Sequence, residues 1–418
     1  MNTQNQDDNT ITEKKKISIV IPTKNSLKYL KDNVLSIISQ DYDNYELIIS
    51  DNYSNDGTSE WIKSLDNPLI KLVKPETSLV MAENFEWALS HAKGEWIQIL
   101  GSDDGVQPFY FQLADFLIGK AVEKHLSIIN FPRAYFFWEN CQDLYNDAGI
   151  SFLARAGHTV KNTGYDLLSA LISENCYFFI PHLYTMSITH HSVVEKVKDK
   201  MKRFFFTSCI HDASSAASIC TVEKKYLQAF IPLTWVGTSK GSMGDLSDKS
   251  YERIKNEFLS DRLTWHYQMG GFYVSYNINE IHFYFYEAIL QADLLQSFFW
   301  KRVYRAKWFK TLLFANVLVS IENSQQKVEC LQKVLDLNKI PFKRVVFFRT
   351  RILPLVYKVF RRINRYFERN YRIETMDTIE YNLSRSPDSE LSLMDAYRTI
   401  DELNKETGFV EKFIRART

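Results

Sequence analysis

The chain has 418 residues, enough for two or three domains of about 150 residues each, and its 51 basic residues nearly balance its 50 acidic ones. This balance gives no support to a general nucleic-acid-binding protein. The five cysteines are scattered without a Cys-x-x-Cys pair, which argues against a disulfide framework or zinc site and favours reduced thiols in the cytoplasm.

Neither the N-terminus nor the apolar runs predict a membrane-spanning segment. Met1 to about Lys14 is polar, lacks the apolar core of a signal peptide, and is expected to be a disordered tail. The longest apolar run, Thr311 to Ile321, is about half of the roughly 20 residues that a spanning helix needs. We therefore expect a cytoplasmic protein, either soluble or bound to a membrane surface.

From Lys15 to about Ile118, short apolar runs alternate with segments of helical periodicity. The predicted strands are Ile17–Ile21, Glu46–Ile49, Ile70–Val73 and Trp96–Leu100, and helices are expected at Leu27–Ile37, from Thr58 through Leu65, and at Asn84–His91. This alternation predicts an α/β fold whose largely parallel sheet is flanked by helices. Right-handed crossovers would bring the carboxyl ends of the strands to one edge.

Polar side chains follow three of these strands. Thr23 and Asn25 come after the first strand, Asp51 after the second, and Asp103 and Asp104 after the fourth. Burying two carboxylates without a compensating partner costs free energy of desolvation, so the Asp103–Asp104 pair favours a ligand at the sheet edge. Carboxylate oxygens suit Mg²⁺ or Mn²⁺, which commonly arrive with a phosphate. The alternative is an ordinary exposed Asp-Asp turn.

The segments Pro22–Asn25, Asp51–Thr58 and Gly94–Asp104 together resemble glycosyltransferase family 2. The resemblance is specific over about residues 15–110 and continues as an outline to about residue 245. It implies a GT-A fold, a nucleotide-sugar donor, transfer usually with inversion, and Mn²⁺ or Mg²⁺ as cofactor. The family often has Asp-x-Asp-Asp where this chain has Gly101 in the first place, so no ligand is assigned there.

The resemblance also implies roles for individual residues. Asp104 would hold the cation, Asp103 would lie beside the ribose and the water shell of the metal, and Asp51 would contact the nucleobase. The other nucleotide-binding candidates are Pro22, Thr23, Asn25 and Asn84. Helix capping or a turn is the alternative role for Asp51 and Asn25. A glycine-rich dinucleotide fingerprint and a P-loop are both absent from the sequence.

Asp212 is the candidate general base for the acceptor hydroxyl. Family members commonly place an acidic residue at the start of a helix about a hundred residues after the metal motif, and His211-Asp212 precedes a helix-like stretch. The alternative is that Asp212 caps this helix. His211 is expected to pack, Lys240 to be a solvated loop lysine, and His190 and His191 to be structural. The aromatic residues between 177 and 184 would shape the acceptor side or form ordinary core.

The C-terminal part is predicted to be helical, with a basic amphipathic helix near 352–372. Ten basic residues and one acidic residue lie between Lys343 and Arg372, and the basic side chains fall opposite an apolar face. Such a helix either lies on an anionic bilayer or docks on the catalytic domain.

These observations predict a tail (1–14), a GT-A domain (15–245) and a helical region (246–418). The expected function is metal-dependent, inverting sugar transfer to a glycan or lipid-linked acceptor in surface polysaccharide assembly. The alternatives are a non-catalytic module that binds nucleotide sugars or glycans, and a polyprenyl-phosphate sugar synthase. The donor base and sugar, the acceptor and the oligomeric state stay open.

Overall fold

The computed structural model describes residues 16–139, 148–172, 180–202, 211–239, 288, 306–359, 362, 378–384 and 391–416. The predicted tail, Lys240 and most of the amphipathic helix beyond residue 359 lie outside the described residues.

The N-terminal half is built on a parallel sheet in the order β3-β2-β1-β4. Its strands are β1 (Ile17–Thr23), β2 (Tyr45–Asp51), β3 (Ile70–Val73) and β4 (Trp96–Ile99). Every residue of β1 is buried, as expected for a central strand covered on both faces. Ile19 and Ile21 join one core cluster, whereas Val20 between them joins the cluster on the opposite face. The predicted strands are therefore confirmed.

Four more strands extend this sheet with mixed polarity, which gives eight strands in all. They are β6 (Ile128–Asn130), β9 (His158–Asn162), β10 (Ser187–His190) and β11 (Lys225–Ala229). Strand β10 runs antiparallel to both β4 and β6, so the sheet is parallel only in part. The α/β fold class is confirmed, with a mixed sheet instead of a largely parallel one.

Helices cover both faces of the sheet. They are α1 (Leu27–Ile38), α2 (Thr58–Ser64), α3 (Met81–Ser90), α4 (Tyr110–Glu123), α5 (Thr163–Ile172), α6 (His191–Met201) and α7 (His211–Val222). Helix α2 starts after Gly57, whose φ of 85° suits glycine. The Asp56 carboxylate accepts hydrogen bonds from the backbone and hydroxyl of Thr58 and from the backbone of Leu27, which joins the starts of α1 and α2.

A second sheet has the order β13-β8-β7-β12-β5 and joins distant parts of the chain. Its strands are β5 (Gly105–Val106), β7 (Ala134–Phe137), β8 (Ala148–Arg155), β12 (Thr234–Thr238) and β13 (Thr378–Ser384). Strand β13 pairs antiparallel with β8. Beyond it, helices α11 (Leu393–Thr407) and α12 (Phe409–Arg415) bury Leu393 and Phe409 in the core that β1 shares.

A separate helical cluster precedes β13. It contains α8 (Lys307–Ile321), α9 (Gln325–Leu337) and α10 (Phe342–Phe347), followed by a π-helical turn (Phe348–Ile352) and a helical segment over 353–359. The apolar residues of α8 form the centre of this core, to which α7 contributes three alanines. Among the described helices, none is long and apolar enough to cross a bilayer.

Candidate functional site

The predicted polar rim lies at the carboxyl ends of β1, β2 and β4. In the sheet register Thr23 is paired with Asp51, and Pro22 with Ser50. Strand β4 pairs with β1 as far as Ile99, so the turn that carries Asp103 leaves the sheet at the same edge. Parallel pairing therefore brings these residues together although they are separated by up to 80 positions.

Asp51 holds the loop that follows β2. Its carboxylate is fully buried and accepts hydrogen bonds from the Ser54 backbone N–H (2.9 Å) and the Ser59 hydroxyl. The neighbouring Thr23 hydroxyl is buried, and no hydrogen-bond partner for it occurs in the part of the chain that the structure describes. A buried hydroxyl of this kind is usually satisfied by some partner, so Thr23 is the group on this rim that a ligand would satisfy.

Asn25 and Asn84 brace the same loops. Asn25 is exposed, has a φ of 50°, and accepts a hydrogen bond from the Asn55 backbone N–H at 2.8 Å. Asn84 is buried and accepts a hydrogen bond from the Ser50 hydroxyl at 2.8 Å. Both contacts fix the shape of the rim, and nucleotide binding by Asn25 and Asn84 stays a prediction.

Asp103 and Asp104 have different surroundings. Asp104 is 1% exposed, and its two carboxylate oxygens accept hydrogen bonds from the backbone N–H groups of Gly101 (2.6 Å) and Gly237 (2.9 Å). Burial, followed by the charge of Asp103, raises the pKa of Asp104 well above its usual range. Asp103 is half-buried and its carboxylate accepts a hydrogen bond from the Ser239 hydroxyl at 2.6 Å. Asp104 thus anchors the turn, and Asp103 is the more accessible carboxylate.

Asp212 lies in the first turn of α7 and is half-buried. Burial raises the pKa of Tyr184 well above its usual value, and the negative charges of Asp104, Asp103 and Asp212 add to this effect. The ring of Tyr184 packs edge-on against His211, with 4.4 Å between the ring centroids. Tyr184 therefore contacts the residue before Asp212 with its ring, and its hydroxyl oxygen lies beside Gly101 and Asp104.

His211 stacks on Phe85 with the ring centroids 4.1 Å apart, which confirms the expectation that it packs. Burial lowers its pKa, so the imidazole is held neutral. His190 accepts a hydrogen bond from the Ser192 backbone N–H and caps α6, which supports the structural interpretation of the histidine pair.

Sequence reasoning did not identify Tyr184 and Ser239 as neighbours of the aspartate pair. Ser239 directly precedes Lys240, which is predicted to be a solvated loop lysine, and Tyr184 is one of the aromatic residues that are predicted to shape the acceptor side or to form ordinary core. The glycine at position 101 was the available signal, because an unusual residue in a motif suggests a changed neighbour. Lys240 lies outside the described residues.

Comparisons with known proteins agree with this arrangement. The model of the family "Glycosyl transferase family 2" matches residues 18–118. The chain is 32% identical over 163 residues to the UDP-Glc:alpha-D-GlcNAc-diphosphoundecaprenol beta-1,3-glucosyltransferase WfgD of Escherichia coli, covering 38% of this chain and 60% of that protein. It is 34% identical over 93 residues to the glycosyltransferase GlyG of Streptococcus pneumoniae, covering 22% and 31%.

These matches span less than two thirds of either relative. A solved structure of S. aureus TarS 1–349 in complex with UDP-GlcNAc is 16% identical, with coverage of 77% of this chain and 90% of that one and a TM-score of 0.45. The assignment rests on the sequence matches and on the rim that the matched residues build. Residues 18–118 of this chain therefore match glycosyltransferase family 2 in sequence.

Proposed function

We propose that this protein is an inverting glycosyltransferase that moves a sugar from a nucleoside-diphosphate donor to a lipid-linked glycan acceptor. The observation that carries the proposal is the position of Tyr184: its ring packs on His211, the residue before Asp212, and its hydroxyl oxygen lies beside Gly101 and Asp104. This position supports a candidate base and a donor site that lie near each other. A direct displacement needs this arrangement, because the base must act on the acceptor while the diphosphate leaves.

For the donor, Thr23 supplies a buried hydroxyl that has no hydrogen-bond partner among the described residues, and Asp51 shapes the adjoining loop. The name of WfgD specifies UDP-glucose as its donor and a diphosphoundecaprenol-linked sugar as its acceptor. A uridine diphosphate sugar and a polyprenyl-diphosphate-linked acceptor are thus the first pair to assay for this chain.

A divalent cation fits the rim through Asp103. Among the described residues no three His, Cys, Asp or Glu side chains gather around one point. Mg²⁺ is nevertheless usually held by one or two carboxylates together with substrate phosphates, and Asp103 can supply one. The family resemblance gives this role to Asp104. The burial of Asp104 and its backbone hydrogen bonds favour an anchoring role instead, so we assign the ligand role to Asp103. When bound, such a cation offsets the charge that grows on the departing diphosphate.

Asp212→Asn tests the assignment of the base. We expect turnover, measured as nucleoside-diphosphate release in the presence of acceptor, to fall at least about 100-fold, since general-base catalysis typically contributes that much. The affinity for the nucleoside diphosphate should stay nearly unchanged. Asp199→Asn on α6 is a matched control, because Asp199 is exposed and outside the site.

Unchanged turnover of Asp212→Asn would remove this residue from the mechanism. A wild-type protein that binds UDP-sugars but releases no UDP with any acceptor would be a binding module instead. Transfer to free polyprenyl phosphate would identify a polyprenyl-phosphate sugar synthase. The panel of donors and acceptors, each run with and without Mn²⁺, separates these three functions.

We further propose that residues 342–359 meet an anionic membrane surface, where a lipid-linked acceptor would lie. Val345 is buried in the core of the helical cluster and Leu353 is also buried, whereas Phe347, Leu355 and Val359 are 54%, 61% and 53% exposed. The basic residues on the exposed side of this segment include Lys343, Arg351 and Lys358. Exposed apolar side chains among basic ones suit a bilayer that contains anionic lipid.

Sedimentation with phosphatidylglycerol vesicles and with phosphatidylcholine vesicles tests this surface. We expect binding to the anionic vesicles only, and binding at least about tenfold weaker for the Leu355→Ser/Val359→Ser double variant. Val122→Ser on α4 is a matched control, since Val122 is 59% exposed elsewhere. Equal recovery in the supernatant with and without anionic vesicles would exclude the membrane surface.

A further inference from the structure

The space that a side chain at position 101 would need is filled by Tyr184. A Cβ atom built on Gly101 would lie 2.5 Å from the Tyr184 hydroxyl oxygen and 2.9 Å from an Asp104 carboxylate oxygen. Real Cβ atoms essentially never approach other atoms so closely. The glycine that replaces the first aspartate of the family pattern is therefore required by the tyrosine opposite it.

Tyr184 is held firmly in this position. The backbone N–H of Thr185, which has a φ of 51°, donates a hydrogen bond to the carbonyl of Ile99 at the end of β4 (2.8 Å). The Met186 N–H donates to the Tyr184 carbonyl at 2.6 Å. The ring lies against Phe85 on α3 and His211 on α7, with centroid separations of 5.9 and 4.4 Å. Contacts with three elements, β4, α3 and α7, thus fix the position of Tyr184.

The Tyr184 hydroxyl oxygen lies beside Gly101 together with a carboxylate oxygen of Asp104, the buried anchor of the turn. Asp104 accepts hydrogen bonds from the N–H groups of Gly101 and Gly237, and Tyr184 fills the space beside this turn from a third segment. Tyr184 therefore lies against the aspartate turn at position 101, where the family pattern has its first aspartate.

We propose that Tyr184 is a positioning residue that substitutes for the missing first carboxylate of the aspartate motif. It sets the turn through Asp104 and leaves Asp103 as the accessible carboxylate. A neutral hydroxyl in place of a carboxylate removes one negative charge from the rim. A divalent cation alone is therefore bound weakly, and it enters mainly together with the nucleoside diphosphate. This inference deepens the proposed function and rests on it for the identity of the ligand.

A double-mutant cycle tests the substitution. We expect Gly101→Asp alone to lower the melting temperature and to weaken UDP binding at least about tenfold, because the new side chain collides with the tyrosine. In Gly101→Asp/Tyr184→Ala the collision with the tyrosine is removed and the close approach to the Asp104 carboxylate remains, so both properties should recover part of the way toward wild type. That double variant should also bind Mn²⁺ without nucleotide at least about tenfold more tightly than wild type, because it regains a carboxylate.

Tyr184→Phe removes the hydroxyl with little change of shape. We expect UDP affinity to fall at least about fivefold, with a melting temperature lower by about 2 °C or more. Tyr381→Phe is the matched control, since Tyr381 is a half-buried tyrosine on β13. Isothermal titration with UDP in EDTA, with UDP in Mn²⁺ and with Mn²⁺ alone supplies the affinities.

Two results would overturn the inference: a Gly101→Asp variant as stable as wild type, or a double variant no more stable than Gly101→Asp. Tight binding of Mn²⁺ alone by the wild type would refute the part that concerns the cation. If the wild type bound no nucleoside diphosphate at all, the proposed function would fail. The melting temperatures of the ligand-free variants would still decide whether Tyr184 replaces the side chain at position 101.

Discussion

Leu393 joins the C-terminal end of the chain to the turn that carries the candidate site. It is fully buried at the start of α11, and a Cβ atom built on Gly105 would lie 2.7 Å from one of its methyl carbons. The Asp32 carboxylate on α1 accepts a hydrogen bond from the Leu393 backbone N–H at 3.0 Å. The leucine side chain therefore packs directly against the backbone that follows Asp104.

Leu393→Ala should destabilise the protein by about 3–5 kcal/mol, the upper part of the range for buried leucines. The reason is that Gly105 has no side chain that could move into the cavity. For a protein of 418 residues we expect a melting temperature lower by about 3–6 °C. Urea unfolding followed by tryptophan fluorescence measures the free energy, and titration with UDP at a temperature where the variant stays folded measures the effect on the site.

Arg398→Ala on the same helix provides the control. Arg398 pairs with Asp395 at 2.9 Å, but its side chain is 68% exposed, so its loss should change stability by less than about 0.5 kcal/mol. If Leu393→Ala were no more destabilising than Arg398→Ala, α11 would not be part of the N-terminal core. The packing argument for the aspartate turn would then be wrong.

Three further outcomes are expected. Burial lowers the pKa of His182 to about 4 from an ordinary 6.5, so the unfolded chain takes up its proton first as the pH falls. His182 should therefore lower the free energy of unfolding by about 2 kcal/mol between pH 7 and pH 5. In His182→Gln this part of the pH dependence, measured by urea titrations, should be lost. An unchanged pH dependence would contradict the lowered pKa of His182. Asp103→Asn should weaken UDP binding more in Mn²⁺ than in EDTA, and equal losses in calorimetry would remove Asp103 as a metal ligand. Asp51→Asn should lower the free energy of unfolding by about 1–3 kcal/mol, because the amide has one acceptor oxygen where the carboxylate uses two. A melting temperature equal to that of wild type would refute the anchoring role of Asp51.

The amino-acid sequence by itself determined the strand and helix alternation of the first hundred residues. The signals are local: four of the five residues from Ile17 to Ile21 are apolar because β1 is covered on both faces, and a glycine stands at position 57 because the backbone there is left-handed. The grouping of polar residues at one sheet edge could be predicted from this alternation, because the carboxyl ends of parallel strands lie at the same edge. Asp51 and Asp103 could accordingly be assigned to one site before any contact was known.

Only the tertiary structure distinguished Asp103 from Asp104. Adjacent residues of the same type look equivalent in a sequence, and their burial depends on Gly237, which arrives from β12 more than 130 positions later. The fit of Tyr184 into the space beside Gly101 and the return of α11 to the N-terminal core are likewise contacts between distant segments. Local periodicity carries no information about such contacts, because they arise from how whole elements pack.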